Sequence, residues 1–285
     1  MDKLDALKLL AADAARGNLN FPTTATVLLR VREGLEDPDC STNQAVQLIQ
    51  TDPLLSARIV AVGNSVAFNR SGRAVTDVRA AINLLGFKMV RMLATAMVAR
   101  QLAGKPESPA VRDLAARLWE HSAHVAALAH LLAKRVTRQD ADTALFAGMV
   151  HEIGGFYLLS RATEFPGLLD GDARDWTSEI AAGLSPEMAL GRSVLNALQV
   201  PKPVLDAIEV LWVGYLAYPP ETLGDTVLLA DQLAPVRSPL FQPPGNKMLP
   251  DVRGTIDLIV DQETLSHILK DSAEQVKSLT DALRV

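Results

Sequence analysis

Apolar residues recur along this chain at helical spacing, and the alternation that a strand needs is scarce. After Pro109, Val111, Leu114, Leu118, Val125 and Leu132 follow at steps of three, four and seven residues, with Ser122 in the same stripe. Arg112, Asp113, Arg117 and Glu120 fall off that stripe. Such spacing gathers the apolar side chains on one helix face and the charges on the other. Helix breakers divide the pattern at Pro22, Asp52-Pro53, Gly63-Asn64, Gly72, Gly86, Gly104 to Pro106, Gly154-Gly155, Gly171, Pro201, Pro203, Pro219-Pro220 and Pro235. They leave helices of ordinary length, so the pattern predicts an all-α fold.

Local chemistry marks several helix ends. Asp52 before Pro53 is good helix-start chemistry, an acid at the cap and a proline in the first turn. The same helix is expected to close at Gly63-Asn64-Ser65, since Gly and Asn tolerate left-handed backbone. A helix over Val78–Leu85 should stop at Gly86, and another should begin at Phe87-Lys88. The polar stretch from Gly104 to Pro109 holds two prolines and reads as a loop. It sets the expected division: an N-terminal helical bundle over 1–104, a second bundle over 109–235, and a tail over 236–285. Pro239, Pro243, Pro244 and Gly245 predict an extended surface loop between Pro235 and Pro250, after which helical spacing resumes through Leu265, Ile268, Leu269, Val276 and Leu279.

Composition narrows the classes. The 285 residues are 48% hydrophobic, enough for a sizeable core, and carry a net charge of −5. No basic footprint points to nucleic acid. Cys40 is the one cysteine, so neither an intramolecular disulfide nor a cysteine-based zinc site can form. The first residues lack a basic start with an apolar run, and Met92–Ala99, between Arg91 and Arg100, is too short to span a bilayer. A cytoplasmic protein without a membrane partner is the expectation.

Four residues carry candidate chemistry. His121 stands in Trp119-Glu120-His121-Ser122, the dipeptide His151-Glu152 follows an apolar helix, and Asp231 stands in another. A histidine, a histidine–acid pair and a distant aspartate on helices follow the ligand order of a metal phosphohydrolase. In such a site, imidazoles and carboxylates converge on cations that acidify a bound water and offset phosphate charge. The plain alternative is a buried polar pair at His151-Glu152, with hydrogen bonds in place of coordination. His124 and His130 show no partner spacing beyond the i, i+3 relation of His121 and His124, and His267 reads as a surface residue. Arg58, Arg70, Arg73 and Arg79 bracket the Asn64-Ser65 turn as candidates for an anion or an acidic partner, against a solvated charged loop. Trp212, near Val213, Tyr215 and Tyr218, belongs either in a cavity beside the site or on an interaction patch.

Together the segments resemble the HDOD family, signalling relatives of the HD metal phosphohydrolases. The resemblance rests on Asp52-Pro53-Leu54-Leu55, Arg58 to Ser65, Ala80 to Gly86, Val90 to Leu93, Leu118 to Ser122 and Phe146 to Gly154. It covers roughly residues 20 to 235, with spacing and order agreeing across independent segments. It implies two packed helical bundles, the C-terminal one HD-like, in a regulatory module without turnover. It also implies departures from active relatives. The acid after His151 is Glu where Asp is expected. No histidine occurs in Pro186 to Gly191. Glu209-Val210-Leu211-Trp212 stands where active relatives carry paired histidines, and no lysine follows Gly155. A two-metal centre is therefore not expected. No cofactor is expected, and the alternative is a single divalent metal (iron, manganese or zinc) on His121, His151, Glu152 and Asp231. No receiver, GGDEF-like or EAL-like segment is attached, so the expected partners are signalling proteins in trans, from cyclic-dinucleotide or two-component pathways. A homodimer is an option. The rival expectation is a phosphohydrolase acting on nucleotides or cyclic dinucleotides.

Overall fold

Helices account for nearly all of the structure. The computed structural model describes residues 3–21, 23–104, 106, 108–169, 186–213, 216–217, 219–240, 259–260 and 263–284. The helices are α1 (Lys3–Ala15), α2 (Thr23–Glu36), α3 (Thr42–Gln50), α4 (Pro53–Asn64), α5 (Val78–Leu102), α6 (Pro109–Leu132), α7 (Ala141–Val150), α8 (Ile153–Arg161), α9 (Pro186–Ala197), α10 (Lys202–Val213), α11 (Leu223–Leu233), α12 (Leu265–Asp271) and α13 (Ala273–Arg284). A two-residue hairpin, Ile259–Val260 against Glu263–Thr264, is the only sheet among the described residues.

Side chains take up the free N–H groups at several helix starts. The Asp52 carboxylate accepts from the Leu55 amide at 2.8 Å, with Pro53 in the first turn, so α4 starts as its sequence predicts. Asp77 does the same for α5 through Ala80, and Asp140 for α7 through Thr143. Reciprocal capping boxes, Ser41 with Gln44 and Thr222 with Asp225, open α3 and α11.

Two predicted breaks have different outcomes. Gly86 has φ 78 and ψ 161, which is not helical, so the expected stop after Leu85 and restart at Phe87 both occur, and α5 is two helices joined across a kink. At the end of α4 the expected left-handed closure is absent: Ser65 is extended, and neither Gly63 nor Asn64 has positive φ. Asn64 works through its side-chain amide instead. Its Nδ2 donates to the Val75 carbonyl at 2.7 Å and its Oδ1 accepts from the Val75 amide at 2.8 Å. This clip ties the end of α4 to the far side of the loop before α5, and the loop's left-handed residue is Gly72, with φ 66.

Helices α2 to α5 pack together as the first bundle, and α6 to α11 as the second. Helix α5 lines the seam and touches α7 and α8 of the second bundle. By length and composition α5 could cross a membrane, but most of its apolar window is buried in the protein core. Helix α1 reaches across to α9, and α13 lies on both α4 and α6. Trp119 of α6 is the pin of that junction. Its Nε1 donates to the Leu283 carbonyl of α13 at 2.8 Å, and the guanidinium groups of Arg58 and Arg100 lie 5.6 and 5.3 Å from the ring. Burial, then the charge of Arg100, lowers the Arg58 guanidinium to about 9. Arg58 therefore corrects an expectation: it is 1% exposed and belongs to the core, not to a partner surface. It lies one turn from both Leu55 and Val62, on the buried face of α4. Arg70 and Arg73 stay exposed in the following loop.

Two predictions follow from the packing. A methyl group at Gly148 would lie 2.6 Å from Ala126 Cα and 2.7 Å from Ala126 N, both backbone atoms of α6. Gly148→Ala should therefore destabilise by about 1–3 kcal/mol in a urea titration, despite the better helix propensity of alanine. His130 of α6 is 3% exposed, its ring 5.1 Å from that of Phe68. Burial, then the charge of Lys134, pushes its pKa down to about 4, against an opposing pull from Asp140. An unfolded histidine titrates near ~6.5, so the unfolded chain binds more protons below that pH. The stability held above that pH is lost as pH falls towards 4. Denaturation at pH 7.5 and pH 5 should show a larger loss, by about 2 kcal/mol, for the wild type than for His130→Phe.

Candidate metal centre

The four candidate residues come together from two helices and the junction between two others. His121 sits on α6 one turn from Leu118, on the stripe facing α7 and α11. His151 caps the C-terminus of α7, and Glu152 begins α8. Asp231 lies in the last turn of α11. His121 Nε2 stands 3.1 Å from His151 Nε2 and 3.1 Å from Asp231 Oδ1. Glu152 Oε1 is 4.0 Å from His121 Nε2, and Asp231 Oδ1 is 4.0 Å from His151 Nε2.

Backbone carbonyls orient both rings. His151 Nδ1 lies 2.7 Å from the Gly148 carbonyl, and His121 Nδ1 lies 2.8 Å from the Val236 carbonyl. Each Nδ1 must donate there, so both Nε2 atoms face the cluster. At 3.1 Å, one of those nitrogens has to carry a proton that the other accepts. The surrounding charges favour His121 as its carrier. Burial alone lowers its pKa, but the hydrogen bond and charge of Asp231, then Glu152 and the Val236 bond, raise it overall. His151 moves down, through burial and then the charge of His121. Burial favours protonated Asp231, yet the His121 hydrogen bond and charge hold its carboxyl below the usual range. The contacts form a chain from the Gly148 carbonyl through His151 and His121 to Asp231.

Three of these residues could also hold one divalent cation. Ligand atoms of His121, His151 and Glu152 all lie within 4.8 Å of one another. Adjacent ligands on a metal with bonds of about 2.0–2.2 Å stand about 3–3.5 Å apart, which matches the two shortest separations. Metal-bound histidines also fix their second ring nitrogen on a carbonyl or carboxylate. The side next to this set is apolar. Leu211 and Trp212 are buried, and Trp212 Cζ2 would lie 3.1 Å from a Cβ at Gly191, itself packed on Gly154. Trp212 thus fills the space between α8, α9 and α10 and is not exposed. Tyr215, Tyr218 and the Glu187 side chain fall outside the described residues, as does the Pro-rich stretch beyond Leu240.

Sequence reasoning missed the backbone part of the site. Neither Gly148 nor Val236 carries a side chain with site chemistry, so only their position gives them a role. Leu240, after α11, lies with Leu118 about Gly155, where a Cβ would meet them at 3.0 and 3.1 Å. The segment after α11 therefore forms a wall of the centre. His124 and His130 belong to no metal-competent group among the described residues. His267 is exposed, as expected.

The proton assignment has a direct test. Asp231→Asn removes the anion that raises His121, so the His121 pKa should fall in an NMR titration of the imidazole resonances. An unchanged value would mean that His121 is not the proton carrier.

The HDOD domain model matches residues 21–210. No curated protein matches the sequence. A crystal structure from Shewanella amazonensis SB2B, of a provisionally named metal-dependent phosphohydrolase, has 23% identity and a TM-score of 0.74, covering 98% of each chain. An HDOD domain protein of unknown function from Geobacter sulfurreducens has 19% identity and a TM-score of 0.57, over 98% of this chain and 97% of that one. A provisionally named signal transduction protein from Marinobacter aquaeolei VT8 has 19% identity and a TM-score of 0.53, over 93% of this chain and 58% of the other. At these identities the likeness shows the fold, which is all-α and HD-like. By the domain match over two thirds of its length, the chain belongs to the HDOD domain family.

Proposed function

We propose that this chain is a regulatory module that acts by binding a signalling protein in trans, with its His–Glu–Asp cluster serving as a polar latch without turnover. One observation carries the reading. The buried nitrogens of His121 and His151 are all partnered within the protein, so the cluster is satisfied with a proton in the place of a cation. A buried polar network that is fully satisfied fixes the packing of its helices. Here it ties α6, α7 and α11 together. The apolar filling by Leu211 and Trp212 supports the same reading, since neither can bind a second hard cation.

A groove supplies a surface for such a partner. It has a volume of about 620 Å³ and runs between Met92 of α5 and Ala207 and Val210 of α10, with Leu223 at one end. Because α5 belongs to the first bundle and α10 to the second, a bound partner would bridge the two. Nothing in its chemistry separates a two-component partner from a cyclic-dinucleotide one.

The second reading is a phosphohydrolase with one metal, favoured by the anchoring of both Nδ1 atoms on carbonyls. His121, His151, Glu152 and Asp231 would hold the cation, which would acidify a bound water and offset phosphate charge. The Shewanella protein's name points the same way, as a statement about that protein. Turnover separates the readings. Hydrolysis of bis(p-nitrophenyl) phosphate, nucleotides and cyclic dinucleotides is measured with iron(II), manganese or zinc added to the wild type and to His151→Ala. The latch predicts no hydrolysis that depends on His151. Turnover lost in His151→Ala, with the variant folded, would establish the hydrolase.

A further inference from the structure

A second cavity lies away from the metal-competent cluster, where the loop after α4 meets the end of α6 and the start of α7. Its volume is about 430 Å³, and it is lined by Phe68 from the first bundle and by His130, Lys134, Arg138 and Asp142 from the second. His130 is nine residues from His121 along α6, or about 13 Å of helix rise, so the two sites are separate.

The lining has three chemical zones. His130 forms the floor. It is 3% exposed, its Nδ1 has no hydrogen-bond partner among the described residues, and its Nε2 stands 3.9 Å from Asp142 Oδ1. That distance is too long for a hydrogen bond, so the floor holds a buried imidazole whose Nδ1 the described residues leave without a partner. Phe68 forms an aromatic wall, its ring tilted 45° to the imidazole. The mouth is cationic. Lys134 and Arg138 stand one helical turn apart on it. Asp142 is the one carboxylate in the lining, and its partner in position, Asp140, is engaged by Lys88.

The backbone here is built in an uncommon way. Ala133–Thr137 form a single π-helical turn, and Arg138 follows with φ 56, a left-handed conformation that residues other than glycine seldom take. Arg138 Nη1 donates to the Lys134 carbonyl at 3.1 Å, which holds both cations on one rim. Single π turns and left-handed residues other than glycine gather at functional positions.

We propose that this cavity binds a phosphorylated heterocycle, a nucleoside monophosphate, with its phosphate on Lys134 and Arg138 and its ring against Phe68. The polar ring edge then reaches His130 and Asp142, a neutral imidazole and a carboxylate that together offer a donor and acceptors. Guanidinium and ammonium groups suit phosphate oxygens, and the volume falls within the range of small-ligand sites. A ligand here touches both bundles at once. This goes beyond the latch and the partner groove, and it stands whether or not the cluster turns over phosphoesters.

Calorimetric titration of the full chain with AMP, GMP and inorganic phosphate tests it. The expected result is a Kd below about 1 mM for at least one nucleotide, with phosphate alone weaker by at least about tenfold. Lys134→Ala/Arg138→Ala, both at exposed positions, should weaken that binding by at least about tenfold, and Phe68→Ala should weaken it too. Asp231→Asn, in the other site, should leave it unchanged. The proposal is overturned if neither nucleotide binds, if phosphate binds as tightly as the nucleotides, or if the double variant binds like the wild type. It is also overturned if binding responds to Asp231→Asn instead, which would place the nucleotide at the histidine cluster.

Discussion

Where α6 and α7 cross, Gly148 presents only a hydrogen to the Ala126 backbone, and a methyl there would come within 2.6 Å of it. That crossing sets the polar centre of the protein. It brings His121 of one helix to 3.1 Å from His151 at the end of the other. The Gly148 carbonyl also accepts from His151 Nδ1, so one residue fixes both the helix separation and the ring orientation. Asp231 and Val236 then close the arrangement from α11 and the segment after it, one through its carboxylate and one through its backbone.

Much of the architecture follows from the order of residues. The apolar stripe from Val111 to Leu132 buries as its spacing predicts, Asp52-Pro53 opens a helix, and Gly86 breaks one. The site is legible to the extent that side chains carry it: His121, His151, Glu152 and Asp231 converge. What sequence could not supply is the contribution of the backbone. The carbonyls of Gly148 and Val236 are identical to every other carbonyl until folding aims them. The role of Asn64 was hidden for a similar reason. Its amide pairs with Val75 across a loop, a contact eleven residues away that replaces the left-handed turn its type suggested. Arg58 misled because a charged residue beside an exposed arginine loop looks like surface. Its place on the buried face of α4, against Trp119, is decided by helical phase.

The cluster and the Trp119 junction act on different parts of the same frame. Trp119 joins α6 to α13 and, through Arg58 and Arg100, to the first bundle. The histidine chain joins α6 to α7 and α11 within the second bundle. Helix α6 carries both, and its C-terminal end also carries His130 at the cavity between the bundles. A ligand or partner at the seam would therefore press on the helix that organises the polar centre. That link is spatial, and a coupling between sites needs an element with two arrangements that both sites bias. The segment from Pro235 to Leu240 is well placed for that, since it supplies a bond to His121 and a side chain against Gly155.

The central claim is that a proton, not a cation, completes the cluster. Elemental analysis of untagged protein purified without chelator, beside His151→Ala, tests it most directly. The account predicts no stoichiometric iron, manganese or zinc in either protein, with both folded. Stoichiometric metal in the wild type that is absent from the variant would contradict it.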